Sequence, residues 1–162
     1  MNVTTSSVEE TRALGVALAA VLTPGVVVVL IGGLGVGKTA LTQGIGAGLG
    51  VIDRVTSPTF TMVSSHAADG RRGISTLLHA DLYRVSSGRE ADDLAIGELV
   101  EDAAVAVVEW GDVAPDVLGS NRLVITIAYG DGDDERTLHL DASASSLDEG
   151  TLASAIDGGR ER

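Results

Sequence analysis

Gly32-Gly33-Leu34-Gly35-Val36-Gly37-Lys38-Thr39 fits the pattern G-x-x-x-x-G-K-[ST] at every fixed position. Glycines at this spacing let successive backbone N–H groups turn inward around a phosphate, and a helix that follows adds the positive end of its dipole. In such a loop Lys38 reaches the β- and γ-phosphates, and the Thr39 hydroxyl binds Mg²⁺. With 21 glycines in the chain, the competing reading is a chance glycine-rich turn. Lysine usage argues against it: Lys38 is the only lysine among 11 basic residues, the rest being arginine. Losing Lys38 is expected to remove a transition-state charge ligand while changing stability little, because the lysine is expected in a solvated cleft.

A phosphate loop needs an acid at the end of a neighbouring strand to hold the metal. Val105-Ala106-Val107-Val108-Glu109 is an apolar run closing in an acid, and Leu77-Leu78-His79-Ala80-Asp81 is a second. Glu109 and Asp81 are therefore the metal or catalytic candidates, the alternative being ordinary solvent-facing carboxylates. Arg84 is either a phosphate ligand or half of a surface ion pair. Thr56-Ser57-Pro58-Thr59 falls where a switch-like loop could sense a γ-phosphate, or is simply a rigid turn. His66, His79 and His139 lack metal-ligand spacing and read as structural. The acidic run Asp131 to Glu135 reads as a solvated turn. Guanine selection by an N-K-x-D motif is impossible, since no lysine exists beyond Lys38. The one D-x-x-G match, Asp116 to Gly119, follows Pro115 and does not close a strand. ATP is the expected nucleotide.

The elements that must position these groups follow from periodicity. Ser7 and Glu10 form a capping-box pattern, and Leu14, Ala17, Leu18 and Val21 follow at helical spacing up to Pro24-Gly25. Val26 to Ile31 is a continuous, mostly β-branched run, the mark of a strand covered on both faces. Lys38 to Leu49 reads as a helix ended by Gly50. Gly44, Gly46 and Gly48 within it each cost up to ~1 kcal/mol against alanine, so that helix needs tertiary support. Phe60 to His66 and Ile74 to Asp81 read as strands joined at Ala68-Asp69-Gly70, residues 87–102 as an acidic helix, and Arg122 to Tyr129 with Arg136 to Leu140 as a hairpin. This is an α/β, P-loop NTPase-like three-layer fold with a mixed parallel/antiparallel central sheet. Residues 1–141 form the expected domain, and 142–162 a weakly ordered C-terminal tail.

Composition excludes several classes. The 162 residues contain no cysteine, which removes disulfides, thiolate zinc sites and cysteine nucleophiles. Net charge is −12 and uneven: residues 1–89 carry seven basic and five acidic side chains, residues 90–162 four basic and eighteen acidic. Such a field is repelled by bare phosphate backbones, and only four aromatic residues are available for base stacking. Strong direct nucleic-acid binding is therefore not expected. The 25 uncharged residues between Arg12 and Lys38 are long enough to span a bilayer, but Pro24-Gly25 and the glycine loop interrupt them. The N-terminal ten residues lack the basic start of a signal peptide. A cytoplasmic protein without membrane contact is expected.

Four motifs in order, GGLGVGKT at 32–39, SPTFTMV at 57–63, HADLYR at 79–84 and VEWGD at 108–112, together with SSVEETRALG before them, resemble the TsaE (YjeE) family over roughly residues 6–140. The family comprises small bacterial P-loop ATPases required for threonylcarbamoyl modification of adenosine 37 in tRNAs that read ANN codons. The resemblance implies ATP bound at Leu34, Gly35, Val36, Gly37, Lys38, Thr39 and Ala40, with Mg²⁺ held by Thr39 and Glu109. It makes Asp81 the water-positioning or catalytic acid and places Thr59 in the switch-like loop. Glu10, Thr11 and Arg136 are weaker candidates near the nucleotide. It also implies two partner proteins, TsaB and TsaD, on which ATP hydrolysis acts without this chain transferring the group itself. The runner-up is a P-loop small-molecule kinase, although the basic lid of such kinases has only Arg71-Arg72 and Arg84 to Arg89 to draw on. A nucleotide sensor that docks without hydrolysing is the third reading.

Overall fold

The computed structural model describes residues 1–58, 62–100 and 103–160. The glycine loop hangs from β2 (Val27–Ile31), the middle strand of a seven-stranded sheet. On one side β2 pairs in parallel with β5 (Ala104–Glu109), which pairs in parallel with β4 (Thr76–Asp81), which pairs antiparallel with β3 (Val63–Ala67). On the other side β2 pairs in parallel with β6 (Arg122–Tyr129), which forms an antiparallel hairpin with β7 (Arg136–Ala144). An N-terminal strand β1 (Asn2–Thr5) completes that edge, antiparallel to β7. The sheet order is thus β1-β7-β6-β2-β5-β4-β3, parallel at its centre and antiparallel at both edges.

Continuous apolar runs make the central strands two-faced. Val28 and Leu30 of β2 and Val105 and Val107 of β5 pack under the helices α1 (Val8–Ala19), α2 (Lys38–Gly48) and α5 (Glu149–Arg160). Val27, Val29, Ala106 and Val108 face the short helices α3 (Gly88–Asp92) and α4 (Ile96–Leu99) on the opposite side. This alternation is the two-residue period of a strand with both faces buried.

The glycines of α2 have a packing reason. A Cβ on Gly44 would stand 2.8 Å from the Arg12 carbonyl carbon, and one on Gly15 would stand 2.7 Å from the Ile45 amide nitrogen. Helices α1 and α2 thus touch backbone to backbone, and the close approach offsets the helix propensity that glycine gives up.

Three expectations change. Residues 87–102 do not form one helix: Ala95 sits at φ 50 and separates α3 from α4, and Glu101 and Asp102 lie outside the described residues. Ala91, Ile96 and Val100 are all buried, yet positions 91 and 96 would be about 140° apart on a continuous helix, so the break lets both face the core. Of the strand expected over Phe60 to His66, Phe60 and Thr61 lie outside the described residues, as does Thr59, and among the described residues it starts at Val63 after a bend at Met62; the strand expected from Ile74 begins at Thr76. In the segment from 142 expected as a weakly ordered tail, β7 continues to Ala144 and α5 buries Leu152 and Ile156 in the core under α1. No helix among the described residues is long and apolar enough to cross a membrane.

Candidate functional site

Beyond Ile31 the chain turns through the glycine loop into α2, whose N-terminal cap is Gly37 at φ 115, a left-handed backbone that only glycine adopts without strain. Gly37 offers no capping side chain and no acid lies in the first turn of α2. The orphan N–H groups of that turn are therefore available to an anion, with the helix dipole behind them. The loop is braced from the sheet's far side. The Tyr129 hydroxyl at the end of β6 donates to the Leu34 carbonyl at 3.0 Å, and Arg136 Nε at the start of β7 donates to the Val36 carbonyl at 3.0 Å. The Arg136 guanidinium also lies 4.6 Å from the Tyr129 ring centre. Arg136 thus supports the loop from behind. Val36 is buried beneath the loop, whereas Leu34 projects from it, 74% exposed.

Lys38 is not in a solvated cleft. Its side chain is folded back over the loop, 5% exposed, with Nζ donating to the Gly32 and Gly33 carbonyls at 2.8 Å each. The Trp110 ring centre lies 4.1 Å from Nζ. Burial pushes the Lys38 ammonium below its ordinary pKa, opposed by the charges of Glu109, Asp81 and Asp112. The expected solvated position gives way because two carbonyls and an aromatic face together replace water around the ammonium.

The two strand-end acids stand side by side. Asp81 and Glu109 are register partners in the parallel β4–β5 ladder, both buried, both on the face that carries the loop. Asp81 is fixed by two donors: the Ser57 hydroxyl at 2.6 Å to Oδ2 and the Tyr83 backbone N–H at 2.9 Å to Oδ1. The Thr39 hydroxyl donates to Glu109 Oε1 at 2.9 Å. Two residues earlier on β4, His79 Nε2 lies 2.9 Å from the same Oε1. Trp110, held at φ 60 with its N–H on the Leu30 carbonyl, packs on Tyr83 with ring centres 5.0 Å apart.

These groups line one cavity of about 530 Å³. Leu34, Gly35, Gly37, Lys38, Thr39 and Ala40 form its floor. Ser57, Asp81, Tyr83, Arg84, Glu109 and Trp110 form its wall. Of the weaker candidates, Glu10 accepts from the Ser6 N–H and Thr11 hydrogen-bonds Thr5, so both serve the start of α1 and neither lines the cavity. A second cleft of about 500 Å³ lies between β1, α1 and α5, lined mainly by apolar side chains. Residue chemistry alone did not flag Trp110 over the lysine, Tyr129 under the loop, or His79 on Glu109. For His79 a signal existed: alternation from Asp81 puts it on the same face of β4.

A glycine loop on the central parallel strand, leading into an uncapped helix and faced by acids at the ends of two neighbouring strands, defines a P-loop NTPase-like protein. Comparison with known proteins narrows the class. Residues 5–138 match the profile of the family described as threonylcarbamoyl adenosine biosynthesis protein TsaE. The chain is 44% identical over 127 residues to a Streptomyces coelicolor protein named tRNA threonylcarbamoyladenosine biosynthesis protein TsaE, covering 76% of this chain and 84% of that one. It is 39% identical over 130 residues to a Bacillus subtilis protein of the same name, covering 80% and 78%. A crystal structure of YdiB from Bacillus subtilis superposes with a TM-score of 0.76 at 31% identity, covering 99% of this chain and 95% of that one. The chain belongs to the TsaE family, and its role lies in tRNA threonylcarbamoyladenosine biosynthesis.

Proposed function

We propose that the chain binds ATP with Mg²⁺ in the 530 Å³ cavity, hydrolyses it, and through that cycle acts on a TsaB–TsaD complex in the cytoplasm that carries out the threonylcarbamoyl transfer at tRNA position 37. The observation that carries this reading is the meeting of Thr39 and Glu109 at 2.9 Å at the mouth of an uncapped helix. A hydroxyl and a carboxylate are the hard oxygen donors Mg²⁺ accepts when phosphates and water fill its remaining positions. Held by Thr39 and Glu109, the ion would supply positive charge to neutralise what develops on the phosphates.

The chain's own residues divide the remaining work. First-turn N–H groups of α2 hold the phosphates, and Lys38, released from the Gly32 and Gly33 carbonyls, places its charge on them. Asp81, its carboxylate aimed by Ser57 and Tyr83, orients the attacking water and accepts its proton at Oδ2. Tyr129 and Arg136 keep the loop from yielding while charge builds up. An acidic second half suits a subunit that serves tRNA chemistry through partners.

The test is steady-state ATP hydrolysis with Mg²⁺ for the unaltered protein and Lys38→Ala, with and without TsaB and TsaD. Slow turnover that the partners accelerate, and that falls roughly 10²–10³-fold in the variant, is expected for loss of one transition-state charge ligand. Activity indifferent to the partners, or phosphate delivered to an acceptor other than water, would replace this reading with that of a kinase.

A further inference from the structure

We propose that His79 is a positioning residue for Glu109: it donates from Nε2 to hold Oε1 against Thr39, and so sets up the Mg²⁺-binding pair before nucleotide arrives. The inference rests on the reading of the cavity as a Mg²⁺–nucleotide site.

His79 has no exposure at all, and Glu109 is 3% exposed. Their hydrogen bond, 2.9 Å between Nε2 and Oε1, converges with the 2.9 Å bond from the Thr39 hydroxyl on the same carboxylate oxygen. A carboxylate is an acceptor, so the imidazole nitrogen facing it is the one that carries hydrogen. The other nitrogen tells the same story. His79 Nδ1 is buried with no hydrogen-bond partner among the described residues. A bare ring nitrogen is less costly to leave unpaired in that position than an N–H, and the Nε2–H tautomer leaves it bare.

Geometry makes this more than packing. Register pairs His79 with Val107 and Asp81 with Glu109, so His79 reaches Glu109 on the diagonal between neighbouring strands. Glu109 is thereby held from β4 and met from α2, and its carboxylate is fixed in direction as well as in position. Outer partners of this kind orient metal ligands, and their removal typically weakens metal affinity 10–100-fold.

The experiment compares the full chain with His79→Leu, which fills the volume without a donor, and His79→Gln, which keeps an N–H donor near the same place. Binding of ADP is followed through the single tryptophan, Trp110, first in EDTA and then with Mg²⁺ titrated into the ADP-saturated protein. His79→Leu should weaken the apparent Mg²⁺ affinity about 10–100-fold while ADP affinity in EDTA stays within twofold, and His79→Gln should restore most of the loss. ¹⁵N-histidine NMR of the metal-free unaltered protein should show the Nε2–H tautomer at His79.

Equal Mg²⁺ affinity in all three proteins would overturn the inference, as would equal loss in both variants. An Nδ1–H tautomer would overturn it even if His79→Leu fails to fold. Failure of the unaltered protein to bind Mg²⁺–ADP would instead sink the nucleotide-site reading on which it rests.

Discussion

Replacing Lys38 by methionine should destabilise the nucleotide-free protein. Methionine keeps an unbranched chain of similar length and removes the charge. Two carbonyls, Gly32 and Gly33, each lose a charged donor at 2.8 Å, at roughly 1–3 kcal/mol for each acceptor left unpartnered. The 4.1 Å approach of Nζ to the Trp110 ring is worth about 0.5–2 kcal/mol. Against these stands the cost of burying an ammonium, several kcal/mol before its partners are counted. The two carbonyls decide the sign: the lowered pKa means that burial of the charge outweighs the attraction of Glu109, Asp81 and Asp112, so the substitution relieves that cost, but it leaves both loop acceptors unpartnered and the Trp110 face without its cation. A net loss of about 2–3 kcal/mol follows, the two lost hydrogen bonds exceeding the relief.

For a domain of this size that corresponds to a fall in Tm of roughly 4–12 °C. Thermal denaturation followed by far-UV circular dichroism, without nucleotide and in EDTA, reads it directly. A Tm within 1 °C of the unaltered protein would refute the reasoning and return Lys38 to the solvent-filled cleft that the sequence alone suggests. Hydrolysis measurements cannot make this distinction, since under the proposed function loss of Lys38 slows turnover from either placement.

Two further outcomes follow from the same structure. Lys38 is the only lysine, so a ¹³Cε-lysine label reports one titration, expected below the usual 10.5 because burial disfavours the ammonium. Between that lowered folded value and the unfolded 10.5 the unfolded chain binds more protons, so Lys38 makes stability rise with pH through that window, and Lys38→Met should lose the rise; a midpoint at or above 10.5 would contradict the burial. Gly44→Ala should cost about 2–4 kcal/mol despite a propensity gain of ~1 kcal/mol, because the new methyl meets the Arg12 backbone, whereas Gly158→Ala in α5, with nothing within 4 Å, should stabilise by up to ~1 kcal/mol. Chemical denaturation of both variants checks the pair, and equal shifts would show that α1 and α2 do not touch through their backbones.

What could be read from sequence was what is local. The phosphate loop is eight consecutive residues, and each strand-end acid closes its own apolar run, so Lys38, Thr39, Asp81 and Glu109 could be named without knowing which strands are neighbours. Strand β1 could not: four residues carry little periodicity, and Val3 and Thr5 are buried only because β7, some 135 positions away, supplies the ladder. The tail from 142 has the same explanation, since Leu152 and Ile156 of α5 find their burial against α1. Serine, alanine and glycine around them make a weak local signal, and tertiary contact overrides it. The lysine's placement failed for a different reason. The residue type was right, and the two accepting carbonyls lie in its own loop, but the Trp110 ring that helps to cover it arrives only once β2 and β5 are paired.

Because Asp81 and Glu109 occupy one row of the β4–β5 ladder, the spacing of their backbones is the strand-to-strand distance, about 4.8 Å, which no loop movement can alter. The sheet therefore acts as a fixed gauge, and the only adjustable length between the two acids is the side chain itself. Aspartate is short enough to stay beneath the Tyr83 N–H, while glutamate, one methylene longer, extends to the Thr39 hydroxyl. Exchanging the two residue types would leave net charge, fold and strand register as they are, yet set each carboxylate about 1.5 Å from where its partners wait. In such a frame the identity of each acid is a choice of reach, the shorter one for the Tyr83 N–H and the longer one for the Thr39 hydroxyl.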